Sequence, residues 1–310
     1  MNGWTAKDMP DQSGRVVAIT GANSGVGYES AVAFAQKGAR VVMACRSLDK
    51  AEAARRDLLQ RAAGATVDVL KLDLGSLKSI HQFAETFNAE YDRLDILMNN
   101  AGIMTPPYGK TADGFETQFG TNHLGHFALT GLVLPKLLET PQSRVVTVSS
   151  GAYMRARIDF ENLQSEKGYR AWAAYGQSKL ANILFMRELE RKLEAVHADV
   201  ISVSSHPGYA VTNLQSRGSG IQKLGMRLMR PFMSQSAELG ATYQLYAATA
   251  PEIHGGEFFG PERYVVGRVV RVEVNARGKN EVDAARLWQI SEQLTGVRYT
   301  SLDRAARISA

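Results

Sequence analysis

The segment GRVVAITGANSGVG, residues 14–27, decides the fold of this chain. Its first seven residues form an apolar run rich in β-branched side chains, which predicts a buried strand. Its second half carries Gly21, Gly25 and Gly27 around the start of a helical pattern that covers residues 26–37. Because glycine lets the backbone turn tightly, we predict a strand, a tight turn and the start of a helix.

Strand and helix patterns continue to alternate outward from this segment. Further strands are predicted at residues 39–44, 66–72, 94–99, 143–150, 199–205 and 257–259, and residues 265–274 can pair as strands. Helices are predicted at residues 49–63, 76–90, 115–138, 172–196, 236–250 and 283–294. This alternation predicts a single α/β domain, a doubly wound parallel sheet of the Rossmann type with helices on both faces.

The composition excludes several classes of protein. Hydrophobic residues make up 45% of the 310 and charged residues 22%, as in a soluble globular domain. The net charge of +5 is interspersed with acidic residues, so we expect no nucleic-acid partner. Cys45 is the only cysteine, which excludes an intrachain disulfide. Without a spanning apolar stretch or a secretion-type N-terminus, we expect a cytoplasmic protein with no integral membrane contact.

The glycine turn has the features that a dinucleotide needs. Free N–H groups and the positive dipole end of a helix N-terminus attract a pyrophosphate. The alternative, a tight turn that binds nothing, is disfavoured by the strand and helix patterns on either side. Cofactor contacts are expected from Gly21, Asn23, Ser24, Gly25, Val26 and Gly27.

The residues after the second predicted strand indicate which dinucleotide binds. Enzymes that use NAD usually place a carboxylate there to accept from the ribose 2′-hydroxyl. Here Arg46 and Ser47 follow the strand, and no carboxylate comes before Asp49. Because arginine binds a 2′-phosphate that a carboxylate would repel, we predict NADP(H) as the cofactor. The alternative for Arg46 is a solvated side chain at the start of a loop.

Tyr175 and Lys179 form a YxxxK pattern on a predicted helix. Positions i and i+4 share one helix face, so the phenol and the ammonium can point into one cleft. A free tyrosine has a pKa of about 10, and a nearby cation lowers it toward the range useful for proton transfer. The alternative is an ordinary helix face.

These motifs, in this order, resemble the short-chain dehydrogenase/reductase family, whose glycine turn has the spacing TGxxxGxG. The resemblance extends to the segments that follow the third, fourth and sixth strands. It implies that Asp73 and Leu74 lie near the adenine, although a helix N-cap is the alternative for Asp73. It further implies cofactor contacts from Asn100, Ala101 and Gly102 of the NNAG motif at 99–102, and from Pro207, Gly208 and Thr212.

The resemblance also implies a catalytic group of four residues. Tyr175 would exchange a proton with the substrate oxygen, while Lys179 would lower the pKa of Tyr175 and bind the nicotinamide ribose. Ser150 would hold the carbonyl oxygen, with Ser149 as the alternative. Asn122 would anchor a water that leads to Lys179, or else satisfy helix backbone groups.

The segment between Ser150 and Tyr175 is longer than in the simplest members of the family. This segment and the run SKLAN, residues 178–182, resemble the retinol dehydrogenase and protochlorophyllide reductase branch. That branch implies NADP(H) and a large apolar carbonyl or alcohol substrate, and a homo-oligomer is possible. Within the single domain, 1–310, the cofactor-binding half is 14–150, the catalytic and substrate half is 151–260, and a C-terminal extension is 261–310.

Two insertions interrupt this plan, at residues 154–170 and 209–235. On a helical wheel, residues 221, 224, 228 and 232 place apolar side chains on one face, opposite lysine and arginine. We hypothesise that 209–235 is a mobile lid over the substrate. A static cover and a weak membrane-surface contact are the alternatives.

The sequence therefore predicts hydride transfer between NADP(H) and a carbonyl or alcohol. One alternative is a non-catalytic NADP(H)-binding redox sensor, in which loss of Tyr175 or Lys179 would be expected. Another is an epimerase or dehydratase of the extended branch, whose Gly-xx-Gly-xx-Gly turn this sequence lacks. His123 and His126 lie three residues apart without a third ligand, so we expect packed histidines and no metal site.

Overall fold

The computed structural model describes residues 3–208 and 236–302, and these form an eight-stranded sheet. The strands are β1 (Val16–Thr20), β2 (Arg40–Cys45), β3 (Val67–Lys71), β4 (Ile96–Asn99), β5 (Ser143–Val148), β6 (Val200–Ser205), β7 (Phe258–Pro261) and β8 (Val269–Arg271). Their spatial order is β3-β2-β1-β4-β5-β6-β7-β8, parallel throughout except for the antiparallel pair β7 and β8. The predicted doubly wound sheet is confirmed.

Helices connect the strands and follow the last of them. They are α1 (Gly25–Gln36), α2 (Leu48–Arg61), α3 (Leu77–Glu90), the short α4 (Thr117–Phe119), α5 (Gly125–Glu139), α6 (Ala171–Ala195), α7 (Ala237–Thr249) and α8 (Glu281–Thr295). A π-helical turn, Gly120–Leu124, joins α4 to α5, and single 3₁₀ turns cover Ala6–Asp8 and Gly151–Arg155. The predicted helices begin and end within a few residues of these bounds, and the one predicted at 115–138 contains the π-helical turn.

Helices cover both faces of the sheet because successive strand residues point to opposite sides. Val17 and Ile19 of β1 belong to a core shared with α1, α2 and α7. Val16 and Ala18, one residue out of phase, belong to a second core shared with α3, α5 and α6. Two apolar faces on each central strand explain why the strands are continuous apolar runs.

The helix predicted at 115–138 is present from Thr117 to Glu139, with a π-helical turn within it. The buried Glu116 carboxylate caps α4 by accepting hydrogen bonds from the N–H groups of Gln118 and Phe119 at 2.9 and 2.7 Å, so the helix begins at Thr117. The π-helical turn follows directly. A Cβ at Gly125 would lie only 2.4 Å from the main-chain oxygen of Leu74, so α5 starts in close contact with the end of β3.

The C-terminal residues are part of the core. Of the stretch 265–274, only Val269–Arg271 pairs as a strand, and it closes the far edge of the sheet. The Trp288 ring of α8 packs against Phe127, Phe185 and Tyr299, with ring centroids 4.4 to 5.9 Å apart. The extension therefore covers α5 and α6.

The lid hypothesis for 209–235 falls outside the described residues. Among residues 3–208 and 236–302, no helix has the length and apolar character needed to cross a membrane. Within the same residues, no group of three or more histidine, cysteine or acidic side chains is arranged to hold a metal ion.

Candidate active site

The glycine turn lies at the carboxyl end of β1, between the neighbouring strands β2 and β4. Gly21 and Gly25 have positive φ angles of 69° and 60°. A Cβ at Gly21 would lie 3.0 Å from the Cβ of Ala101, and one at Gly27 would lie 2.4 Å from Nδ2 of Asn100. The turn therefore needs glycine both for its conformation and for its packing against the NNAG motif.

Thr20 connects the ends of the two central strands. Its hydroxyl oxygen accepts hydrogen bonds from the N–H groups of Asn100 and Ala101, each at 2.9 Å. The Asn100 side chain returns a hydrogen bond to the main-chain oxygen of Thr20 at 2.8 Å. The NNAG motif thus fixes the glycine turn relative to β4.

The residues around this turn fit a dinucleotide phosphate. The Ser24 side chain does not cap α1, so the N–H groups of Val26 and Gly27 remain open to an anion. Arg46 directly follows β2 and is exposed, and among the described residues its guanidinium has no ion-pair partner. Ser47 is the N-cap residue of α2 and does not cap it with its side chain.

The Asp73 carboxylate is held at the end of β3. It accepts a hydrogen bond from the N–H of Gly75 at 3.0 Å, and the Asp73 N–H donates to Ser79. Ser76 is the residue that caps α3, by accepting from the N–H of Ser79. The alternative of Asp73 as the helix N-cap is therefore wrong.

Tyr175 and Lys179 lie one turn apart on the buried face of α6 and are 7% and 4% exposed. The Lys179 ammonium is 5.9 Å from the centroid of the Tyr175 ring. It donates a hydrogen bond to the main-chain oxygen of Val148, at the end of β5, at 3.1 Å. The cation is therefore anchored to the sheet beside the phenol.

The two adjacent serines have different roles. The Ser149 hydroxyl is buried and donates to the main-chain oxygen of Lys179 at 2.8 Å, which ties β5 to α6. Ser150 is partly exposed, and its side chain hydrogen-bonds the Tyr175 phenol. The geometry therefore assigns the contact with Tyr175 to Ser150, and Ser149 to a structural contact.

The pKa of Tyr175 is raised, whereas the resemblance implied that Lys179 lowers it. Burial disfavours the phenolate and outweighs the hydrogen bond with Ser150, which acts in the opposite direction. Burial also lowers the pKa of Lys179 to about 8. The Lys179 ammonium donates its hydrogen bond to the Val148 carbonyl and not to the phenol.

Asn122 lies in the π-helical turn and is fully buried. Its Oδ1 accepts from the N–H of Ile103 at 2.8 Å, and its Nδ2 donates to the Ile103 oxygen and to the Ser178 hydroxyl, both at 3.0 Å. A Cβ at Gly102 would lie 3.4 Å from both Asn122 Oδ1 and Lys179 Nζ. Asn122 therefore joins the NNAG segment to α6, rather than satisfying its own helix as the alternative supposed.

The loop after β6 completes the described part of the site. Gly208 has a positive φ of 64°, and its N–H donates to Nδ1 of His206 at 3.3 Å. The His206 ring packs against Phe258 and Tyr264, and burial lowers its pKa to about 4. Thr212 lies outside the described residues.

Sequence reasoning missed Ser178 and the part played by His126. Ser178 hydrogen-bonds Asn122, and His126 contacts Thr20 and the main chain of Asn122. His123 instead contacts Ser291, so the two histidine rings hydrogen-bond different residues and do not point toward a common ligand. The available signal was spacing, since Ser178 precedes Lys179 and His126 follows Asn122 by one helical turn.

Comparisons with known proteins show the family to which the chain belongs. The family model for short chain dehydrogenases matches residues 15–219. The chain is 43% identical to retinol dehydrogenase 12 of Mus musculus over 288 residues, covering 92% of this chain and 88% of that protein. It is 44% identical to retinol dehydrogenase 11 of Homo sapiens over 286 residues, with coverage of 92% and 86%.

A solved structure is similarly close. The crystal structure of an uncharacterized protein from Mycobacterium paratuberculosis has a TM-score of 0.82 and 44% sequence identity to this chain, covering 96% of this chain and 99% of that one. The fold, the site and these matches define the class: the chain belongs to the short-chain dehydrogenase/reductase family and is an oxidoreductase. Its particular place is the retinol dehydrogenase-like branch of that family.

Proposed function

We propose that this oxidoreductase transfers a hydride between NADP(H) and the carbonyl or alcohol carbon of an apolar substrate. The observation that carries the proposal is the convergence of Tyr175, Lys179 and Ser150 beside the carboxyl ends of β4 and β5. The presence of both Tyr175 and Lys179 in this arrangement favours an enzyme over a non-catalytic redox sensor.

A bound nicotinamide would supply the hydride, and this chain supplies the proton. In the reducing direction, the Tyr175 O–H bond breaks and its proton bonds to the carbonyl oxygen as the carbonyl carbon gains the hydride. The product is an alcohol, and the remaining phenolate is stabilised by the nearby Lys179 ammonium. The Ser150 hydroxyl, which hydrogen-bonds Tyr175, is placed to donate to the same oxygen. In the oxidising direction the phenolate takes the proton of the alcohol.

The preference for NADP(H) rests on Arg46. Its exposed guanidinium, unpaired within the described residues, stands where the carboxylate of an NAD enzyme would be. Asp49 lies in the first turn of α2, after this position. A 2′-phosphate would therefore meet a cation and no competing carboxylate at the end of β2.

The apolar substrate is supported by the side chain of Trp172, one turn before Tyr175 on α6. Its indole is 49% exposed and meets the Tyr175 ring edge-on, with centroids 6.1 Å apart. An exposed aromatic surface next to the proton donor suits an apolar substrate better than a polar one. The relatives are named for retinol, which is an apolar alcohol.

Turnover of NADPH with a panel of aldehydes and ketones of increasing chain length tests this function. We expect Tyr175→Phe to lower kcat by about 10²–10⁴-fold while leaving the Kd for NADPH unchanged, because only the proton donor is lost. Tyr108→Phe, at an exposed tyrosine, is the matched control and should retain parental kcat. Equal turnover by the parent and Tyr175→Phe would contradict the mechanism. Tight NADPH binding without turnover of any carbonyl would favour the redox sensor.

A further inference from the structure

His126, the second residue of α5, connects two parts of the site that lie far apart in sequence. It is 1% exposed. Its Nδ1 is 3.0 Å from the main-chain oxygen of Asn122, and its Nε2 is 3.0 Å from Oγ1 of Thr20. Thr20 directly precedes the glycine turn, and Asn122 belongs to the proposed catalytic group. One buried imidazole therefore lies between the cofactor-binding turn and the proton-transfer site.

The neighbouring groups decide where the hydrogens of this network lie. The Thr20 oxygen already accepts from two backbone N–H groups, those of Asn100 and Ala101, which occupy both of its lone pairs. Its own proton must therefore be donated, and Nε2 of His126 at 3.0 Å is a nearer acceptor than the Met98 oxygen at 3.3 Å. The Asn122 carbonyl can only accept, so Nδ1 carries the hydrogen.

The imidazole is neutral in this arrangement. Burial is the main cause that lowers the pKa of His126 to about 4; the nearby Lys179 cation acts in the same direction, and the hydrogen bond with the Asn122 backbone acts against both. A neutral ring with its hydrogen on Nδ1 satisfies Thr20 and Asn122 together, whereas the other tautomer would set an N–H against a saturated hydroxyl oxygen. The network therefore has one consistent direction, from Thr20 through His126 to Asn122.

A displacement of Asn122 would be passed on to α6. The Asn122 side chain donates to the Ser178 hydroxyl at 3.0 Å, and Ser178 directly precedes Lys179 on that helix. The turn that contains Asn122 has π-helical backbone hydrogen bonds, as from the N–H of Gly125 to the oxygen of Gly120, in place of the regular α-helical pattern. The His126 hydrogen bond is thus a restraint on this turn that comes from outside its own backbone.

We propose that His126 is a positioning residue, which ties Thr20 to the main chain of Asn122 and so holds Asn122 and Lys179 in place against the cofactor-binding turn. The inference rests on the proposed function, because it concerns the geometry of proton transfer. A small misplacement of such groups lowers the rate more than it lowers substrate binding.

His123 provides a matched control, since it is equally buried, lies three residues earlier and hydrogen-bonds Ser291 in place of Thr20 and the Asn122 main chain. Both His126→Phe and His123→Phe keep an aromatic ring in the core and remove the hydrogen bonds of the imidazole. We expect His126→Phe to have a kcat at least tenfold below that of His123→Phe, with KM for the carbonyl within about threefold and similar losses in Tm. A difference in kcat smaller than tenfold would overturn the proposal.

Two amide variants keep the test decisive if the phenylalanine variant does not fold. His126→Asn can place an amide N–H near the Nδ1 position, within reach of Asn122, whereas His126→Gln places its amide near the Nε2 position. We expect His126→Asn to retain a kcat several times that of His126→Gln. The reverse order would show that the contact with Asn122 does not set the rate.

The tautomer is measurable without turnover, which separates this proposal from the proposed function. Long-range proton–nitrogen NMR spectra of the full chain with labelled histidine, assigned with His126→Asn, should show a neutral ring protonated on Nδ1 at pH 7. A ring protonated on Nε2 would overturn the proposal even in a fully active enzyme. A parent protein inactive with every carbonyl, but with the Nδ1 tautomer, would count against the proposed function while leaving the network in place.

Discussion

At the scale of the single residue, Arg46 carries the choice of cofactor. Its guanidinium is exposed after β2, while its main-chain oxygen accepts a hydrogen bond from the Lys71 ammonium, so the backbone there is held from β3. We expect Arg46→Ala to raise the KM for NADPH about tenfold or more and to leave the KM for NADH unchanged, because only the 2′-phosphate loses a partner.

The ratio of kcat/KM for NADPH to that for NADH checks this expectation. Arg56→Ala, at an exposed arginine of α2, is the control and should keep the parental ratio. A parental ratio below one would reject the assignment of NADP(H), and so would an Arg46→Ala variant with an unchanged ratio.

Local motifs predicted some site residues and left others undetermined for a clear reason. The glycine spacing and the YxxxK spacing identified Gly21, Tyr175 and Lys179 because these depend on turn chemistry and helix periodicity. The sequence left Ser149 and Ser150 as alternatives, since only the position of α6 shows which hydroxyl meets the phenol. Helical spacing could have indicated the contact of His126 with Asn122, but not its contact with Thr20, which lies 106 positions away in the chain.

At the scale of the element, α6 carries a buried carboxyl, that of Glu190, in addition to the catalytic residues. Glu190 lies near the opposite end of this helix of 25 residues from Tyr175 and is 7% exposed. Its carboxyl accepts from the N–H of Ser202 at 2.6 Å, which fastens α6 to β6. The contact with Gly255 is close, because a Cβ there would lie 1.6 Å from Oε1 of Glu190. The orientation of the catalytic helix is thus set at both ends.

Burial raises the pKa of Glu190 to about 7, and this gives a test of its role. The folded state binds this proton more tightly than the unfolded state, so the contribution of Glu190 to stability is lost as pH rises from about 4.5 to 7. Glu190→Gln should therefore gain stability relative to the parent between pH 5 and pH 8, by up to about 3 kcal/mol. Urea unfolding at both pH values measures this change.

Glu85→Gln, at an exposed position of α3, is the control for this substitution and should show no such change with pH. If the stability of Glu190→Gln relative to the parent is the same at pH 5 and pH 8, the carboxyl of Glu190 does not cause the expected change of stability with pH. Activity with the best carbonyl substrate should stay parental, because the glutamine side chain keeps an oxygen that can accept from the N–H of Ser202 and hold α6 to β6.

The helix boundaries show the same limit of sequence reasoning. The helix that contains Tyr175 was predicted to within one residue at each end, because its apolar periodicity is long and regular. The helix over 115–138 was predicted to within two residues at each end, but the π-helical turn within it was not, since that turn lies between the Glu116 cap and the close contact of Gly125 with Leu74. Tertiary contacts of this kind override a local pattern.

At the scale of the whole molecule, three buried histidines make the fold sensitive to acid. Burial lowers the pKa of His123 to about 3 and those of His126 and His206 to about 4. The unfolded state binds these protons near pH 6.5 and the folded state does not, so stability is lost as pH falls from about 6.5 to 4. Each histidine contributes a slope of up to about 1.4 kcal/mol per pH unit in that window.

The urea midpoint, followed from pH 7.5 to pH 5, measures this loss. His123→Phe removes one titrating group and should give a shallower decline in stability than the parent. His81→Phe, at an exposed histidine of α3, is the control and should keep the parental decline. If both variants follow the parental curve, His123 is not a source of the acid sensitivity.

The architecture was predictable where it depends on alternation and was not where it depends on long-range packing. The parallel strands and their helices follow from apolar runs bounded by turns, as in the segment up to Thr20. The docking of Trp288 onto Phe127 has no local signal, because the two residues are remote in the chain. The sequence therefore predicted the helix of the C-terminal extension, but not the helices against which it packs.

The packing of Trp288 and Tyr299 against α5 and α6 has a consequence for synthesis of the chain. When a ribosome has delivered β6, the polypeptide already contains every residue of the proposed proton-transfer group, but the helices that carry them still expose Phe127 and Phe185. We expect the nascent chain to need shielding by chaperones until its last helix emerges. Termination before that helix should yield a product destined for proteolysis rather than a weakly active enzyme.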